Sequence, residues 1–116
     1  MSDRPTTAYK VLTSEQMTAL EADTFRGAPV DLADGYIHLS TAAQLTETVD
    51  KHFAGQRNLW VAAIDLDALG SAVKWEESRG GQLFPHIYGR MPLEVVLAYN
   101  PLERDGDGAV KLPVTG

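Results

Sequence analysis

Cysteine is missing from the 116 residues. With it go disulfide staples, thiolate nucleophiles, zinc ribbons and iron–sulfur clusters. Long apolar runs are missing too, and no stretch approaches the ~20 residues that span a bilayer. The opening Met-Ser-Asp-Arg-Pro has no basic-then-apolar leader pattern, so a cytoplasmic location is expected. Basic charge is scarce: 10 Lys and Arg stand against 16 Asp and Glu, for a net charge of -6. Neither a nucleic acid nor an anionic membrane is the expected partner, because both attract a basic face. A small anionic ligand still fits, since a few local charges suffice for it. There is no HExxH, G-x-S-x-G, P-loop or G-x-G-x-x-G. His38, His52 and His86 lie 14 and 34 positions apart, a spacing that suggests no metal site.

What is present belongs to a folded protein: 44% of residues are hydrophobic and 22% charged. The length suits a single domain over residues 1–116, with 1–7 a flexible arm and 103–116 a loosely packed tail. Ala8 to Leu12 reads as a strand. Thr13-Ser14-Glu15-Gln16 is a capping box that starts a helix expected to reach Phe25. Gly27 and Pro29 close it, and Val30 to Gly35 reads as a loop. Ser40 or Thr41 caps a second helix, whose Leu45, Val49, His52 and Phe53 form one inward stripe. Leu59 to Leu66 is apolar on both faces, as a central strand is. Further strands follow at Val73–Glu76, Phe84–Tyr88 and Leu93–Asn100. Helices early and strands late favour an α+β fold: two short helices packed on two small, mostly antiparallel sheets with a cleft between them.

The chemistry concentrates in Asp-Gly-Tyr-Ile-His-Leu-Ser-Thr (34–41). Alternation along a strand puts Ile37 and Leu39 on one face, and Tyr36, His38 and Ser40 on the other. Phe84-Pro85-His86-Ile87-Tyr88 repeats the pattern, with Phe84, His86 and Tyr88 together. Facing one hollow, the two rows would build a polar, aromatic pocket for a small molecule. Imidazoles there can hydrogen-bond, pair with an anion or move a proton near neutral pH. The alternative is that each imidazole only satisfies a backbone group beside the core. Glu76, at a strand end after Trp75, is a candidate acid or ribose ligand, although Lys74 beside it also fits a solvated face. Arg79-Gly80-Gly81 reads as a tight turn, or as an anion nest with a guanidinium alongside. Arg90 is a reserve anion ligand, and His52 is read as structural.

Four segments taken together, 34–44, 52–55, 75–81 and 83–89, resemble the uncharacterised bacterial family catalogued as domain of unknown function 952. The likeness runs from about Tyr9 to Leu102. That family is grouped by fold with the ADP-ribosyltransferase-like proteins, which hold NAD in a cleft between two small sheets. The resemblance implies that His38 with Ser40 would hold a ribose, Tyr88 or Phe84 would stack nicotinamide, and Glu76 would organise the transfer. Glu94 is the second choice for the acid. It implies NAD as the bound molecule, and ADP-ribosyl transfer or glycohydrolysis as the reaction. The other readings are a non-catalytic ligand-binding module and a protein-interaction module on the same fold. Leu39 stands between His38 and Ser40, and no Glu-x-Glu pair is present, both departures from the enzymes' pattern.

Overall fold

The computed structural model describes residues 4–115, apart from the side chain of Arg79. In chain order the elements are β1 (Thr7–Leu12), α1 (Ser14–Glu21), α2 (Pro29–Asp34), β2 (Ile37–His38), α3 (Ala42–His52), β3 (Trp60–Asp65), α4 (Leu66–Leu69), β4 (Val73–Glu77), β5 (Leu83–Ile87) and β6 (Val96–Pro101). The strands make two three-stranded antiparallel sheets, ordered β1-β3-β6 and β2-β5-β4. The class is α+β. Among the described residues no helix is long and apolar enough to cross a membrane.

Two departures from the sequence reading concern α1 and α2. The capping box forms: Thr13 Oγ1 accepts from the Gln16 N–H, and Gln16 Oε1 accepts from the Thr13 N–H. The helix nevertheless stops at Glu21, four residues before Phe25. Asp23 takes a left-handed φ of 59°, and the N–H groups of Asp23 and Thr24 return to the carbonyls of Leu20 and Ala19. That is a Schellman ending, with aspartate where glycine usually sits. The expected loop at 30–35 is in fact α2. Pro29 fits the first helical position, where its missing N–H costs nothing, and the Asp31 carboxylate accepts the Ala28 N–H at 2.8 Å. Gly35, at φ 85°, supplies the left-handed ending.

Residues 36–41 join the two sheets. Ile37 and His38 pair with Ile87 and His86 in the second sheet. Two residues on, Ser40 exchanges both backbone hydrogen bonds with Tyr9 of the first sheet, at 2.8 and 2.9 Å. Thr41 then caps α3. One short segment therefore leaves one sheet and docks on the other, and the space beside it is the cleft.

The first sheet is buried on both faces, which explains the unbroken apolar run of β3. Ala62 and Ile64 join Leu12, Leu20, Ile37 and Ile87 in a core between the sheets. Val61 and Ala63 pack with Leu45 and Val49 beneath α3. The stripe on α3 holds for Leu45 and Val49, but His52 at the helix end is exposed. The segment expected as a loose tail is anchored at Val110, which is buried and whose N–H donates to Thr46 Oγ1 at 2.9 Å.

Ile87 is fully buried and pairs with both Ile37 and Val73, so the middle strand of the second sheet depends on it. Ile87→Ala should cost about 2–5 kcal/mol of stability, read by chemical denaturation. A loss within about 0.5 kcal/mol would mean that this sheet does not pack on the core as described.

Candidate functional site

Ala8, Lys10 and Leu12 share one face of β1, and Ala8 and Leu12 have no exposed surface. Lys10 is carried into the core with them, where an ammonium needs an anion. Asp31 provides it: Lys10 Nζ donates to Asp31 Oδ2 at 2.8 Å, and both side chains are buried. The same carboxylate accepts the backbone N–H of His38 at 3.0 Å and its ring Nδ1 at 2.7 Å. Lys10 Nζ also donates to the His38 carbonyl at 2.9 Å. Main chain and side chain of His38 are thus fixed by one buried pair.

Burial alone would raise the Asp31 carboxyl. The hydrogen bond from His38, the charge and hydrogen bond of Lys10 and the Ala28 N–H outweigh it, holding the group at about 2. Burial lowers the Lys10 ammonium, against the opposing pull of Asp31.

A second acid–imidazole pair stands beside the first. His86, opposite His38 across the strand pair, donates from Nδ1 to Glu76 Oε1 at 2.8 Å. Tyr88 OH donates to the same oxygen at 2.8 Å. These bonds, His86 first and Tyr88 next, keep the Glu76 carboxyl below the usual range, while Glu76 in turn raises the Tyr88 phenol. The His38 and His86 rings are 5.2 Å apart, edge to face. Tyr36 stacks on His86 at 4.3 Å and reaches Tyr88 at 5.2 Å. Lys74 lies over the Tyr88 ring.

Beside this cluster opens a cleft of about 670 Å³, walled by β1, the 38–40 segment, the start of α2, the end of α3, Phe84 and His86. His38, Ser40, Phe84 and His86 lie on its wall. Tyr36, Tyr88 and Glu76 do not. They surround the imidazoles at the cleft's end, so Glu76 reaches the hollow through His86. Ser40 Oγ is within 2.8 Å of Thr48 Oγ1. Arg79 lies in the turn at 79–81, which closes through Ser78 and Gln82, and its side chain is outside the described residues. Glu94 sits exposed on a short turn before β6, away from the cleft. Arg90 binds the Asp23 carbonyl instead of facing the hollow. His52 does line the cleft. Among the described residues no group of three or more acids and histidines is placed to hold a metal.

The sequence reading missed Lys10, Asp31 and Asp34. Lys10 was findable, because a lysine between Ala8 and Leu12 on an otherwise apolar strand face demands a buried acid. Asp31 was hidden by reading its helix as a loop.

A family model described as protein of unknown function (DUF952) matches residues 11–99. The chain belongs to this family. Its fold is similar to the crystal structure of protein CC0527 from Caulobacter crescentus, with TM-score 0.82 and 43% identity over 91% of this chain and 94% of that one. A double mutant of CC0527 matches at TM-score 0.81 and 41% identity, over the same shares. The solution NMR structure of CC0527 matches at 0.76 and 43%, covering 91% of each chain. None of the curated proteins matches.

Acid should expose the Asp31 network. Its carboxyl falls from an ordinary 3.8 to about 2 on folding, so the stabilisation is complete above about pH 4 and is lost as pH falls towards 2. A shift of this size is worth about 2 kcal/mol. Stability of the wild type should decline by roughly that amount between pH 4 and 2 through this group, and Asp31→Asn should lack that component. Parallel pH–stability curves for the two proteins would contradict the assignment.

Proposed function

We propose that the cleft binds NAD or a related nucleotide, and that the imidazole pair with Glu76 serves cleavage of the nicotinamide–ribose bond. The observation carrying this reading is the pairing of His38 and His86, 5.2 Å apart in the wall of a cleft between two small sheets, with His86 tied to an ionised Glu76. A volume of about 670 Å³ suits a ligand of nucleotide size. The family's grouping with ADP-ribosyltransferase-like proteins supports the same choice, and two sheets flanking a cleft are what that grouping implies.

The chemistry follows from the bonds. Breaking the glycosidic C–N bond sends its electron pair to nicotinamide and leaves positive charge on the ribose, which a nearby carboxylate stabilises. The incoming water or acceptor hydroxyl forms the new C–O bond and must lose a proton. With Nδ1–H donated to Glu76, His86 offers Nε2 as the acceptor of that proton, and Glu76 steadies the resulting imidazolium. Glu76 then acts by positioning and charge, through His86. Tyr36, stacked on His86, and Tyr88, bonded to Glu76, hold the pair in place from outside the cleft.

A second reading is a binding module without turnover. It is favoured by the position of Glu76, whose Oε1 already accepts two donors and which does not line the cleft. Calorimetric titration with NAD, alongside a nicotinamide-release assay, separates the two. The enzymatic reading expects binding, release, and a loss of release of about 10²–10³-fold in Glu76→Gln with affinity little changed. Binding without release selects the module. The absence of both heat and release would overturn the nucleotide proposal.

A further inference from the structure

His38 has two ring nitrogens, and their partners differ in kind. Nδ1 faces Asp31, whose side chain is 1% exposed and which accepts three further donors. Nε2 faces Asp34 Oδ2 at 3.0 Å, and that side chain is 44% exposed. Among the described residues the Asp34 carboxylate meets no other donor. One carboxylate is built in; the other rests on the imidazole from the solvent side. An ionised carboxylate only accepts, so both contacts are hydrogen bonds together only when each nitrogen carries a proton.

We propose that His38 Nε2 is an oxyanion-binding point for the cleft's ligand, and that Asp34 occupies it until the ligand arrives. The Asp34 carboxylate stands in for a ligand oxygen: it is anionic, within hydrogen-bond distance, and on the one edge of His38 that the buried network leaves open. Electrostatics agree. Lys10 is already matched by Asp31, so the carboxylate set against the open edge of the His38 ring is Asp34. Withdrawing Asp34 frees Nε2 of His38 on a cleft wall that has no Asp or Glu among the described residues. The position of Asp34 allows withdrawal, since it ends α2 and is followed by Gly35 at φ 85°. The ligand class is therefore a phosphate-bearing molecule, whose anionic oxygen exchanges with Asp34. The inference deepens the nucleotide reading and takes from it only the identity of the phosphate carrier.

The prediction runs opposite to the usual effect of a site mutation: removing Asp34 should tighten binding. Wild type, Asp34→Asn and Asp34→Ala are titrated at low salt with NAD and with uncharged adenosine. Their thermal unfolding is followed with and without inorganic phosphate. NAD affinity should rise about two- to fivefold in both variants, the scale of one partly exposed charge contact, with adenosine unchanged. Phosphate should raise the melting temperature of Asp34→Asn more than that of the wild type. The gain should vanish when His38→Gln is added. If NAD binds the wild type but neither variant more tightly, the oxyanion point is overturned while the nucleotide reading stands. If NAD binds none of them, the nucleotide reading falls. A phosphate response larger in Asp34→Asn would then still uphold the oxyanion point, and an equal response would overturn it.

Discussion

One carboxylate, that of Asp31, sets the geometry on which the rest depends. It is buried, and its two oxygens accept from Lys10, from the Ala28 and His38 N–H groups, and from the His38 ring. These donors come from β1, from the start of α2 and from β2. Bringing a carboxylate and an ammonium out of water costs several kcal/mol each, and an ion pair recovers that only with its remaining donors and acceptors filled. Here Asp31 accepts four donors, and Lys10 donates to both Asp31 and the His38 carbonyl. Apolar side chains of similar volume would serve stability as well, so the pair is better understood as fixing where His38 sits and which way its ring points.

The second determinant is the crossing segment at 36–41. Strand alternation sends Ile37 and Leu39 into the core and turns His38 and Ser40 to the hollow, while backbone pairing switches from His86 to Tyr9 within two residues. The wall of the cleft is thus made by the same bonds that hold the sheets together. Its lining differs from the rest of the chain: the protein is net -6, yet among the described residues the hollow is lined by Lys10, His38, His52 and His86 and by no Asp or Glu. The acids nearby stand behind or beside the imidazoles. This division lets carboxylates orient the rings while standing off the wall of the hollow.

Much of this was legible in the sequence. Period-two alternation placed both histidine rows and their apolar backs, and the apolar run of β3 marked the central strand. The capping box at Thr13 and a capping hydroxyl at Ser40 or Thr41 mark two helix starts. Elsewhere local signals misled. Glycine is the strongest stop signal and points to Gly27 as the helix end, whereas Asp23 adopts the left-handed turn instead. Pro29 looks like a breaker, although at a first helical position it starts a helix. That error concealed Asp31, because only on α2 does its carboxylate come round to Lys10. The placement of Glu76 behind His86 depends on the pairing of β4 with β5, which no local pattern encodes.

The central claim, that Asp31 and Lys10 act as one unit holding the cleft's imidazole, is tested most directly by a double-mutant cycle. Lys10→Met and Asp31→Asn are made singly and together, and unfolding free energies are measured at neutral pH. Each single change should cost about 3–5 kcal/mol by stranding its partner, and the double variant should lose less than the sum by about 2 kcal/mol or more. Losses that add to within about 0.5 kcal/mol would show two independent groups and contradict the account.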